Sequence, residues 1–135
     1  MAEEIKTNPD SAAGGARRSV SVTEALALLP GAGGERFAEV FQRGSLSVEI
    51  YAPRGADPQQ PHTRDEAYVV AAGSGEFVNG GERHPFAPGD FLFVPAGVAH
   101  RFENFTEDLV VWVIFYGPEG GEQEEAGRRG ERETG

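Results

Sequence analysis

The chain has 135 residues, 22 acidic and 12 basic, giving a formal net charge of -10, and it contains no cysteine. That length suits a single domain with its own core, and the missing thiols exclude disulfides and thiolate metal sites, so any metal must be held by nitrogen and oxygen ligands. Residues 19–117 carry 13 acidic against 6 basic groups; with no basic patch to meet phosphates, nucleic acid and anionic membranes are excluded as expected partners in favour of a small molecule.

Residues 1–18 are rich in Ala, Gly and charge, and residues 118–135 are more so. Both stretches are expected to be flexible tails around a domain at 19–117. The N-terminus MAEEIKTNPD has no apolar signal core, and the longest apolar run, Leu109 to Tyr116, is far too short to span a bilayer, so a cytoplasmic location is expected. SVTEALALLP then predicts one short helix of about two turns. Ser21 is its N-cap, Glu24 completes a capping box, Pro30 is the stop, and Val22, Leu26 and Leu29 form the buried face.

From Phe37 onward the pattern becomes short apolar runs broken by turn signals: FAEVFQ, LSVEIYA, AYVVAA, GEFVNG, ERHPF, DFLFVP, HRFENF and LVVWVIFY. This predicts an all-β antiparallel barrel of roughly eight strands. Asn79 and Gly80 mark a hairpin turn, and Pro85 confines the strand after it to an edge or a bulge.

Two stretches carry candidate chemistry. In QPHTRDE, residues 60–66, Pro61 argues against a helix, and in an extended chain Gln60, His62 and Glu66 share one face. Arg64 and Asp65 between them read as solvated turn positions. GDFLFVPAGVAHRFEN fixes Gly89, Pro95, Gly97, His100 and Asn104 at set intervals. Those intervals match the second signature motif of the cupin superfamily at every fixed position, and His62, Glu66 and Gly73 match the latter half of the first motif. Fifteen residues separate Gly73 from Gly89, a spacing that resembles small single-domain bacterial cupins. Two departures stand in the first motif: its leading glycine is shifted to Gly55, and Gln60 replaces its first histidine.

The resemblance implies a cupin double-stranded β-helix (jelly-roll) barrel with one short N-terminal helix. It also implies that Gln60, His62, Glu66 and His100 hold a divalent transition metal: iron, nickel, manganese or zinc. Two histidines and a carboxylate form a facial set that leaves coordination positions open, whereas the neutral amide oxygen of Gln60 is a weaker ligand than imidazole. Strand parity puts Tyr68 and Val70 on the face of Glu66, Phe102 on that of His100, and Leu46, Val48 and Ile50 inward. In the last strand Trp112 and Ile114 share one parity and Val113 and Phe115 the other. The expected substrate pocket is therefore Tyr68, Val48, Ile50, Phe102 and Trp112. His84 matches no motif position and reads as an exposed strand residue. The only lysine is Lys6 and Arg101 faces away from His100, so a phosphorylated sugar is poorly served.

The function implied is a metal-dependent oxygenase acting on a small organic molecule that chelates the metal, with Glu66 also available as a catalytic base. The alternative is a non-catalytic metal-binding or small-ligand-binding module. A homodimer is expected, paired through the edge strand FAEVFQ.

Overall fold

The computed structural model describes residues 18–123. The expectations for residues 1–17 and 124–135 fall outside the described residues. The capping box starts α1 (Val22–Leu26) as predicted: Ser21 Oγ accepts from the Glu24 N–H at 3.0 Å, and the Glu24 carboxylate accepts from the Ser21 N–H at 2.8 Å. The helix stops short of Pro30. The Leu28 and Leu29 N–H groups bond back three residues, to the Ala25 and Leu26 carbonyls, and this tighter winding ends the regular turns early. Ala25 is its buried residue, with Val22, Leu26 and Leu29 half-buried around it.

Eight strands follow: β1 (Phe37–Arg43), β2 (Leu46–Tyr51), β3 (Asp65–Ala72), β4 (Gly75–Asn79), β5 (Glu82–Phe86), β6 (Phe91–Val94), β7 (His100–Glu103) and β8 (Val110–Tyr116). Each predicted strand segment overlaps one of them, with β1 one residue longer and β3 starting two residues earlier than read. They form two antiparallel sheets, ordered β1-β2-β8-β3-β6 and β5-β4-β7, which together make the jelly-roll barrel. Asn79 pairs with Glu82 across the hairpin, where Gly80 takes a φ of 62°. Pro85 sits on β5, at the sheet edge, where its missing N–H breaks no ladder bond.

The two sheets close on a core that includes Tyr68, Val70, Phe77, Phe86, Phe102 and Val111. Its rings meet closely, Phe77 with Phe102 at 4.8 Å and Tyr68 with Phe102 at 5.1 Å between centroids. Burying each such ring contributes about 1.5–3 kcal/mol. Gly73, the last fixed glycine of the first motif, is held at φ 93° with the Leu109 backbone so near that a Cβ would lie 2.6 Å from Leu109 Cα. Only glycine permits β3 to turn against that segment.

A second cluster covers the outer face of the larger sheet: Ala25, Ile50, Ala52 and Val110, with Trp112 packed against them. This corrects the expected orientation of β2 and β8. Ile50 and Trp112 face the helix, and Val48 lines an outer groove with Val69, Trp112 and Ile114. Glu49, Tyr51, Val113 and Phe115 face the interior cavity instead. A sheet covered on both faces carries apolar residues on both parities, so alternation does not say which face is inside. No helix of the described residues is long and apolar enough to cross a membrane.

Candidate metal centre and cavity

Glu66 is on β3 and His100 opens β7, so the two sheets bring them together, while His62 comes from the loop before β3. One nitrogen or oxygen from each lies within 4.8 Å of the others. His100 Nε2 is 3.2 Å and His62 Nε2 3.8 Å from Glu66 Oε1. Two ligands on one ion at about 2.1 Å each stand about 3.0–3.4 Å apart between right-angled and tetrahedral arrangements. The Glu66–His100 pair already has that spacing. His62, whose side chain is 37 % exposed, stands wider, 3.8 Å from Glu66 Oε1 and within 4.8 Å of the other donor atoms.

The second motif positions both histidines. The His100 Nδ1 edge meets the Val98 carbonyl at 2.9 Å; with the proton on Nδ1 it donates there, and the Nε2 lone pair is aimed at Glu66. Gly97, at φ 82°, donates its N–H to the His62 carbonyl at 2.7 Å, and the His62 ring stands edge-on to Phe115 at 5.0 Å. Both Glu66 oxygens and His100 Nε2 are buried without a hydrogen bond. A shielded carboxylate and an imidazole lone pair left unsatisfied are costly unless a cation or a proton lies between them. Burial pulls the His100 pKa down, but the Glu66 carboxylate and the Val98 carbonyl outweigh it and hold the imidazole above its ordinary value.

The site borders a cavity of about 590 Å³ whose lining includes Tyr51, Gln59, His62, Glu66, Val113 and Phe115. Of the expected pocket residues, Tyr68 and Phe102 pack in the core, with the Tyr68 ring 6.1 Å from that of His100. Val48, Ile50 and Trp112 lie across the sheet, as described above. Gln60 is exposed and outside the cavity lining; its neighbour Gln59 lines the cavity, and Gln59 Oε1 accepts from the Tyr68 hydroxyl at 2.9 Å. Of the two adjacent amides, it is Gln59 that lines the cavity.

Asp57, which sequence reasoning passed over, ties this wall together. Its carboxylate accepts from the Tyr51 hydroxyl, from Gln59 Nε2 at 2.8 Å and from the Phe102 N–H at 2.8 Å. Burial, followed by the Asp57 hydrogen bond, raises the Tyr51 pKa far above its ordinary value, so the phenol stays a donor. Arg64 and Asp65 are structural as well. Arg64 donates to the Ser45 and Gly117 carbonyls, and buried Asp65 accepts from the Ala96 and Glu122 N–H groups at 3.0 and 2.9 Å. His84 is half-buried, its ring 6.0 Å from Phe77 and outside the site.

Residues 47–116 match the family model described as the cupin domain. An uncharacterized protein of Streptomyces coelicolor is 39% identical over 85 residues, 62% of this chain and 81% of that protein. The HTH-type transcriptional activator RhaS of Mannheimia succiniciproducens is 32% identical over 62 residues, 46% of this chain and 23% of the activator. Among solved structures, the DMSP lyase DddQ of Ruegeria pomeroyi is similar with a TM-score of 0.53 and 28% identity, over 61% of this chain and 47% of that one.

Proposed function

Because this chain belongs to the cupin family, we propose that it is a cytoplasmic, homodimeric, metal-dependent oxygenase acting on a small organic molecule that chelates its metal. The observation that carries the reading is the buried, unsatisfied trio of Glu66 Oε1, Glu66 Oε2 and His100 Nε2, at the edge of a cavity that Glu66 and His62 line. His62, Glu66 and His100 would hold an iron, nickel, manganese or zinc ion. Bound there, the ion supplies Lewis acidity and a template for an enol, diketone or catechol oxygen pair.

The chain's own groups do the rest. His100 is fixed by Val98 with its Nε2 toward the site, and His62 by Gly97. Tyr68 and Gln59 hold a polar wall, while Val113 and Phe115 exclude water. Glu66 would also be available as a base. Gln60 is not needed in the ligand set.

The test is elemental analysis of the purified protein beside Glu66→Ala, followed by oxygen uptake with catechol and diketone panels. One equivalent of metal, lost in the variant, together with uptake supports the proposal. No metal, and none taken up from added salts, refutes it. The dimer is read from β1, a sheet edge, and a monomer at micromolar concentration in light scattering refutes that part. A second reading, a ligand-binding module without catalysis, is supported by the match to a segment of a transcriptional activator. Metal and ligand binding with no turnover of any chelating substrate would favour it.

A further inference from the structure

The cavity carries two cations that the metal centre leaves unused. Arg36 and Arg54 both border it. Arg36 Nε donates to the Ala52 carbonyl at 2.9 Å, which fixes that side chain against the loop leaving β2. Neither guanidinium forms an ion pair among the described residues. Arg83, by contrast, is paired with Glu76 and Glu103, and Arg101 with Glu103. The acidic groups of the same cavity do not neutralise the two arginines: Glu35 Oε1 accepts from the Gly33 N–H at 3.1 Å, and neither Glu49 nor Glu66 pairs with an arginine.

Two guanidinium groups on one cavity without an ion-pair partner leave their donors free for an anion. Burial and the Arg54 charge both push the Arg36 pKa below its ordinary value, in keeping with that placement. The cavity is also graded. Its inner end is shielded at Glu66, whose side chain is 1 % exposed, whereas Arg54 is exposed and Arg36 half-buried. Phe37, Tyr51, Pro53, Val113 and Phe115 supply an apolar lining.

We infer that the ligand of this cavity is a small organic carboxylate, its anionic end held by Arg36 and Arg54 and its apolar body along the lining, with its other end toward His62, Glu66 and His100. The guanidinium fork suits a carboxylate because it can donate two parallel hydrogen bonds. This deepens the metal-centre reading and rests on it only for the inner end. Strand parity missed both arginines because Arg36 precedes β1 and Arg54 follows β2, in loops where alternation carries no information.

The test titrates 3-phenylpropionate and its uncharged analogue 3-phenylpropionamide into the full-length protein, metal-free and zinc-loaded. Arginine side-chain and backbone NMR signals are followed at constant ionic strength. The expected result is saturable carboxylate binding that moves the Arg36 and Arg54 signals, with the amide at least about tenfold weaker. Arg54→Gln, an exposed change, should bring the carboxylate down to the amide's level without altering the rest of the spectrum. Equal affinities, a preference that survives Arg54→Gln, or no binding of either compound overturns the inference. Failure to take up zinc with the carboxylate preference intact sinks the metal reading and leaves this one standing.

Discussion

Replacing Glu66 by glutamine tests the buried trio most directly. Glu66 is 0% exposed, and its carboxylate, 3.2 Å from His100 Nε2, has no hydrogen bond. With Nδ1–H given to Val98, the neutral imidazole presents a lone pair to a carboxylate, and the contact becomes attractive only when a proton or a metal ion intervenes. His100 has a raised folded pKa, so the stability from its proton is complete below about 6.5 and is lost as pH rises through the raised value. Above that value Glu66→Gln should stabilise the metal-free protein, because the new amide donates to His100 Nε2 and a buried charge is gone. An unsatisfied buried polar group costs about 1–3 kcal/mol. At about 4–8 °C per kcal/mol for a domain of this size, the melting temperature should rise by roughly 4–24 °C. Metal acts in the opposite sense: at a hundredfold excess over its Kd the wild type should gain about 2.7 kcal/mol and the variant little. Calorimetry with chelator and with added zinc or manganese reads both effects. A variant that melts below the chelated wild type, or that gains as much from metal, refutes the reasoning.

Glu49 offers a separate pH signature, since burial first, then the Glu39 and Glu66 charges, raise its pKa from 4.5 to about 7. Its charged form is disfavoured in the fold, so the penalty is absent below 4.5 and full above about 7. Glu49→Gln should therefore leave stability unchanged in acid and raise it by about 1–2 kcal/mol on the alkaline side, allowing for screening at a half-buried site; urea melts across that range that show a constant difference would contradict this. Asp57→Ala removes the acceptor for Tyr51, Gln59 and the Phe102 N–H, and should cost about 2–4 kcal/mol in urea unfolding. A loss under half a kilocalorie would show that these bonds contribute little. Gly73→Ala must place a methyl 2.6 Å from Leu109 Cα at φ 93° and should cost at least about 2 kcal/mol; a neutral result in thermal melts would mean that this contact relaxes freely.

The strands were legible because their limits are set by local chemistry. Asn79 and Gly80 make the hairpin turn, Gly97 takes the positive φ that follows Pro95, and Gly73 ends β3 where no side chain fits. Each is a demand on one residue, visible without its neighbours in space. The face of a strand is a different kind of fact. In LSVEIY alternation assigns the apolar residues Val48 and Ile50 to the core, but the larger sheet has α1 on one side and the barrel on the other, and it is Glu49 and Tyr51 that reach the cavity. A charged residue inside an otherwise apolar strand was the available signal, and it pointed inward.

The site divides along the same line. His62, Glu66 and His100 come together because motif spacing fixes both the strands and the turns that aim them, so the meeting of these three side chains could be read from intervals alone. Gln60 could not, since it lies in a loop with no periodicity, where a shift of one residue exchanges inside and outside. What places Gln59 rather than Gln60 at the wall is the reach of Asp57, which grips Gln59, Tyr51 and the backbone of β7 at once. That grip couples the loop of residues 52–62, which carries His62 and Arg54, to the strand that carries His100. Loosening Asp57 should therefore weaken metal and carboxylate binding together, although Asp57 belongs to neither the metal ligands nor the arginine pair.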